Sequence, residues 1–162
     1  MLFKFVPHKS TDMQTIAAEL ESIINQHMKA LQEIPEDKMT FKPSPSKWSK
    51  KEIMGHMVDS AQNNIRRLVV GQYEDTPKIT YNQDKWVAIS DYQNYDTLSL
   101  IRLWYLLNNH LAVILRKASP EVAQRQCQTE SLHTLEWIAQ DYIKHLKHHV
   151  HQVLELEPVV YP

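Results

Sequence analysis

The amino-acid sequence predicts an all-α four-helix bundle with a long irregular connector between its second and third helices. Three observations carry that expectation. Apolar residues recur at helical spacing in four segments of about twenty residues each. No stretch alternates apolar with polar in the regular way of a half-buried strand. Glycine is nearly absent, with only Gly55 and Gly71 among 162 residues, which disfavours tight hairpins and glycine-rich phosphate loops alike.

The first helix runs from about Asp12 to Glu33 on a stripe of Ile16, Leu20, Ile23, Ile24, Met28 and Leu31. Pro35, Pro43 and Pro45 then break the chain into a connector. Ser49-Lys50-Lys51-Glu52 reads as a capping box, in which the serine hydroxyl accepts from a free amide of the first turn and Glu52 reaches back. The second helix follows to about Gly71, a stop signal. From Gln72 to Tyr95 the chain holds Pro77, several tyrosines and Trp86 without a clean period. That is long for a plain loop and is expected to pack over one end of the bundle as a lid. The third helix spans about Asp96 to Lys117 on Leu100, Leu103, Trp104, Leu107, Leu111 and Ile114, and Ser119-Pro120-Glu121 looks like the start of one short turn. The fourth helix covers about Thr134 to Leu156. A bundle is the simplest way to bury four such stripes joined by connectors of unequal length.

One domain spanning residues 1–162 fits this length, and a domain of this size hides about 70% of its unfolded surface without staples. The chain is 43% hydrophobic and 23% charged with a net charge of −1, a balance that argues against binding nucleic acid by phosphate neutralisation. Cys127 is the only cysteine, so no intrachain disulfide forms, as a reducing compartment permits. Met1 to Ser10 carries Lys4, His8 and Lys9 around short apolar pairs and lacks the continuous apolar stretch of a signal peptide. No window approaches the ~20 apolar residues of a spanning helix. The expectation is a cytoplasmic protein with neither nucleic acid nor membrane as partner.

Histidine is abundant, with nine copies. Placing helix four at roughly 100° per residue, Leu135, Ile138, Tyr142, Leu146, Val153 and Leu156 define its apolar face. His149 falls inside that arc, His145 sits at its edge, and Gln152 lies beside them slightly further out. His148 is turned about 60° beyond His145 and His151 points nearly opposite the stripe. His145 and His149 therefore stand one above the other at i and i+4, as paired metal ligands on a helix must. On helix two, Ile53, Met57, Ala61 and Leu68 face the core and His56 lies at the edge of the same arc. Three neutral imidazoles leave one coordination position open, the catalytic rather than the structural arrangement for zinc. A histidine on an apolar face is also commonly a hydrogen-bonded core residue, and His27 and His110, on the stripes of helices one and three, are assigned no role.

Trp48-Ser49-x-x-Glu52-x-x-x-His56-x-x-Asp59-Ser60 resembles the second-helix signature of the DinB/YfiT-like family of metal-dependent enzymes. Asp141-x-x-x-His145-x-x-His148-His149-x-x-Gln152 resembles its last-helix signature. Glu74-Asp75-Thr76-Pro77, followed by Tyr81 and Trp86, is similar to the connector of the YfiT branch. The likeness runs from helix one to about Leu156. It implies a metal on the helix-two histidine and on the i, i+4 pair of the last helix, which here are His56, His145 and His149, the three chosen by angle. The family includes transferases that use a low-molecular-weight thiol such as bacillithiol, and others described only as hydrolases. Its members commonly pair as homodimers. The resemblance supports both reactions and selects neither.

Three histidines with an open position suit one divalent transition metal, Zn²⁺ or Ni²⁺. Such a metal lowers the pKa of a bound water to about 7, or holds a substrate thiol as thiolate. A hydrolase wants a general base nearby. Asp59 is one turn after His56, although angled away from the core as a solvated residue is. Asp141, one turn before His145, suits an orienting partner of that ring or an exposed acid. Gln152 is placed to bond a bound ligand or to cap the bundle interior. Tyr73, Tyr81, Trp86 and Tyr92 form either a pocket wall or a seal on the core. Lys144, Lys147, His148 and His151 make a basic outer side, either solvated or suited to an acidic thiol. Two function classes follow: a metalloenzyme acting on a small molecule, by thiol transfer or hydrolysis, and a non-catalytic helical metal-binding or interaction module.

Overall fold

The structure, a computed structural model, describes residues 12–161; the reading of Met1 to Ser10 lies outside the described residues. Helix α1 (Met13–Gln32) starts where the Asp12 carboxylate accepts the Gln14 amide. The connector after it is not all irregular: Pro35 opens a short helix, α2 (Glu36–Thr40). Helix α3 (Lys50–Val70) begins with both halves of the capping box, Glu52 N donating to Ser49 Oγ at 3.1 Å and Ser49 N donating to Glu52 Oε2 at 2.7 Å. It stops at Gly71 in an ordinary right-handed conformation (φ −61°). Space rather than conformation favours glycine there, because a Cβ would stand 2.7 Å from Leu135 Cδ2 and 2.9 Å from the Arg67 carbonyl oxygen, so that a larger residue would require these to shift.

The long connector holds helix α4 (Gln83–Ser90), capped by the Asn82 side chain, and a 3₁₀ turn at Tyr92–Asn94. Helices α5 (Thr97–Lys117) and α6 (Pro120–Ala123) follow where expected. Two three-residue strands, β1 (Gln126–Gln128) and β2 (Leu132–Thr134), then pair antiparallel, with Cys127 opposite His133. The last helix is α7 (Leu135–Leu154), ended by Glu155 in the left-handed region (φ 56°). Leu156 therefore lies beyond the helix, exposed, and not on its apolar face. His110 is likewise exposed, so it is not on the buried stripe of α5.

α1 packs on α5 and α7, and α3 packs on the same two helices. The sequence neighbours α1 and α3 thus stand diagonally across the bundle, and so do α5 and α7. Joining diagonal helices requires connectors that cross the bundle ends, as do the one holding α2 between α1 and α3 and the one holding α6 and the hairpin between α5 and α7. The arrangement makes α3 and α7 direct neighbours. Ile16, Leu20, Ile24, Met54, Trp104, Leu111 and Leu146 fill the interior, each such side chain contributing about 1.5–3 kcal/mol by leaving water. One buried polar pair crosses it, Tyr142 Oη donating to Asn108 Oδ1 at 2.6 Å between α7 and α5.

One expectation is corrected here. By length and composition α5 is apolar enough to cross a membrane, with a window of mean hydropathy 1.3. Its buried residues, Leu100, Ile101, Trp104, Leu111 and Leu115, are spent on α1 and α3, as expected of a core helix.

Candidate metal centre

α3 has no solvated face over its first half. Every residue from Ile53 to Ala61 is buried, because α5, α7 and the connector close on it from three sides. His56 is 1% exposed, with the Trp48 ring 5.1 Å away. Across the α3–α7 contact it meets the i, i+4 pair. The ring centroids stand 5.0 Å apart for His56–His145, 4.9 Å for His56–His149 and 4.5 Å for His145–His149, all edge to face. One nitrogen of each ring lies within 4.8 Å of the other two, and the Nε2 atoms of His56 and His145 are 3.0 Å apart.

The far sides of two rings are held. Gln152 Oε1 lies 2.9 Å from His149 Nδ1; a carbonyl only accepts, so that nitrogen carries the proton and Nε2 keeps its lone pair. Ser60 Oγ lies 3.3 Å from His145 Nδ1. His56 Nδ1 is buried without a partner among the described residues, so packing alone orients that ring. Burial, and then the neighbouring rings, press the pKa values down: His56 to about 4, His145 to about 2, and His149 below its ordinary value. At neutral pH all three are uncharged, the form that ligates a metal. Nitrogens around a tetrahedral zinc at about 2.0–2.1 Å need separations a little above the 3.0 Å seen for one pair. Small ring rotations supply that difference, so this donor set fits a divalent metal.

Behind the rings runs a line of polar side chains on α3. Arg67 Nη1 donates to Asn64 Oδ1 (3.4 Å), Asn64 Nδ2 donates to Ser60 Oγ (3.3 Å), and Ser60 Oγ meets His145. Arginine can only donate, which fixes the Asn64 amide and points its NH₂ at Ser60. Two clefts border the site. One of about 540 Å³ reaches His145 and is lined by Ser60, Arg67, Tyr81, Trp137 and Asp141. The other, about 520 Å³, reaches His149 and Gln152 past Trp48, Lys38 and Lys47. Gln83 and Asp84, at the start of α4, border both.

The two candidate carboxylates go elsewhere. Asp59 is not solvated but wholly buried, because Tyr92 folds back from the connector and donates to its Oδ1 at 2.5 Å. Burial raises its pKa to about 6 against the pull of that bond. Asp141 does not meet His145; it accepts from Tyr161 Oη at 2.9 Å. His148 and His151 turn outward onto the backbone carbonyls of Val159 and Glu157, both at 2.7 Å. Lys147 pairs with Glu19. Among the connector aromatics, Tyr81 lines the first cleft, Trp86 packs edge-on against it, Tyr92 seals α3 and Tyr73 is exposed. Sequence reasoning missed Asn64, Arg67 and Tyr161. The i, i+4 and i+3 spacing of Ser60, Asn64 and Arg67 is the signal that marks them as one face of α3.

Comparison with known proteins adds to this geometry. The sequence profile of the DinB superfamily matches residues 19–153. The chain is 26% identical over 113 residues to YfiT of Bacillus subtilis (strain 168), an inferred metal-dependent hydrolase, over 67% of this chain and 64% of that protein. The matched stretch thus spans under two thirds of the relative's length. The solved structure of YfiT from Bacillus subtilis, described as an unusual four-helix bundle topology, superposes with a TM-score of 0.82 at 20% identity, covering 95% of this chain and 92% of the other.

Proposed function

The chain belongs to the DinB superfamily, and from that premise we propose that it is a metal-dependent enzyme acting on a small molecule, with His56, His145 and His149 holding one divalent transition metal, Zn²⁺ or Ni²⁺. One observation carries the reading: three uncharged imidazoles from neighbouring helices converge on a spot bordered by two clefts. When bound, the metal supplies the Lewis acidity that makes a water or a thiol nucleophilic near neutral pH. The chain's own residues set the stage. Gln152 and Ser60 hold the Nδ1 sides of His149 and His145, so that each ring presents Nε2 inward. Burial of His56 against Trp48 keeps water from its back. Gln152 is in this reading a positioning residue, and Asp59 anchors Tyr92 rather than acting on substrate.

Hydrolysis is the first reading, supported by the likeness to an inferred hydrolase. Transfer of a low-molecular-weight thiol to an electrophile is the second, and a specific observation favours it. Two clefts meet at the site, and among the described residues no carboxylate joins the cluster of three ring nitrogens, where a hydrolytic general base would have to reach the activated water. A single domain working in the cytoplasm as a homodimer completes the proposal. Leu98 and Leu106, exposed along α5, support such a pairing face. The test is turnover by metal-reconstituted protein on a panel of activated esters and amides, and on a thiol with a haloalkane. Turnover of either kind, lost in His149→Ala, is the expected result. Turnover that survives His149→Ala does not belong to this site and refutes its role, and none on any substrate from metal-replete protein leaves the non-catalytic module standing instead.

A further inference from the structure

We propose that Arg67 is the anchor for a carboxylate group of the substrate, which lies in the cleft that ends on His145. The inference rests on the metal-site reading for what the substrate does next, but not for its binding. Arg67 is half-buried on α3 and lines that cleft. Its Nε donates to the Ile79 carbonyl at 3.1 Å, one Nη1 hydrogen goes to Asn64, and the guanidinium lies 5.8 Å from the centre of the Tyr81 ring. These contacts fix the plane of the group, and among the described residues its Nη2 hydrogens have no partner.

The charged groups that face it are Glu130 and Asp141. Neither touches it: among the described residues the ion pairs all lie elsewhere. A cation held partly out of water with no carboxylate in contact is costly unless a partner arrives from outside. A planar fork of donors matches a carboxylate or a phosphate in shape. Asp84, Glu130 and Asp141 share the cleft, and these carboxylates repel a dianionic phosphate more than a monoanionic carboxylate. The cleft volume of about 540 Å³ suits a small organic acid. The stacked rings of His133 and Trp137, 3.6 Å apart at its mouth, offer the apolar remainder a wall.

The same polar line that ends on His145 starts on Arg67, so the anion anchor and the metal ligand are built on one face of one helix. A carboxylate seated on Arg67 therefore places the rest of a short molecule beside the histidines.

The experiment titrates the full chain, as purified, near neutral pH and at low salt, with butyrate, a monoanion, and separately with inorganic phosphate. The Arg67 Nε–H resonance is followed by NMR, and metal content and melting temperature are measured in parallel. Expected are a saturable shift with butyrate at lower concentration than with phosphate, and binding at least tenfold weaker in Arg67→Gln. In Glu130→Gln, an exposed position whose change leaves the fold alone, butyrate binding is expected to tighten severalfold. Butyrate binding unchanged in folded Arg67→Gln, unchanged in Glu130→Gln, or weaker than phosphate binding to the native chain overturns the proposal. Intact butyrate binding by a chain that holds no metal counts against the metal reading alone.

Discussion

Replacing Gly55 with alanine tests whether the long connector is a packed wall of the histidine site. A Cβ at that position would lie 2.0 Å from Tyr92 Cδ2, 2.2 Å from its Cγ and 2.6 Å from its Cε2, against an optimum of about 3.5–4.0 Å between carbons. Cγ sits on the axis of ring rotation, so flipping the ring cannot clear it; the whole residue must back away from α3. Doing so breaks the buried bond from Tyr92 to Asp59, whose other oxygen already has no partner among the described residues. Overpacking costs about 1–3 kcal/mol, and stranding the buried carboxylate costs about 1–3 kcal/mol. The better helix propensity of alanine returns about 1 kcal/mol. The net expectation is a loss of about 1–5 kcal/mol, which for a chain of this size lowers the Tm by roughly 2–20 °C. Thermal melts of metal-free protein read it directly. In a Tyr92→Ala background the same Gly55→Ala change should be neutral or mildly stabilising, because the clashing ring is gone. A neutral Gly55→Ala in the native background, or an equal loss in both backgrounds, refutes the packing argument.

Two further outcomes follow from the site. Asp59 has a folded-state pKa of about 6, above its unfolded value of 3.8. The folded chain therefore binds the extra proton between those values, and this group's contribution to stability falls as pH rises through that window, by up to about 3 kcal/mol. Asp59→Asn should flatten the stability curve between about pH 4 and 6 relative to the native chain; parallel curves, measured by urea unfolding across that range, contradict the assignment. Gln152→Ala and Ser60→Ala each free one ligand ring, and each should weaken metal binding about 10–100-fold. Competition with a chromophoric chelator measures this, and unchanged affinity in both variants removes their positioning role.

The four long helices were legible in the sequence because each carries a continuous apolar stripe and a capping residue that the structure uses, most plainly Ser49 with Glu52. α4 was not legible, because it buries only Val87 and so shows no period. The strands around Cys127 are three residues each, too short to alternate visibly. The angular argument placed His145 and His149 on one face of a helix, where the structure has them facing His56. It failed for Asp59 because a helical wheel assumes one buried side. α3 is covered on a second side by a tyrosine 33 residues away, and nothing local announces that Gly55 is the seat for its ring. Asp141 missed His145 for a similar reason: Tyr161, from beyond the last helix, takes it instead.

Metal content of the purified, untagged chain, measured by mass spectrometry beside that of His56→Ala, tests the central claim most directly. His56 is the proposed ligand that packing alone orients among the described residues, and the one contributed by α3. The account predicts about one zinc or nickel per native chain, set by three imidazoles and one open position, and loss of that metal from a variant that still folds. A native chain that takes up no metal even after reconstitution, or a folded His56→Ala that retains it in full, contradicts the account.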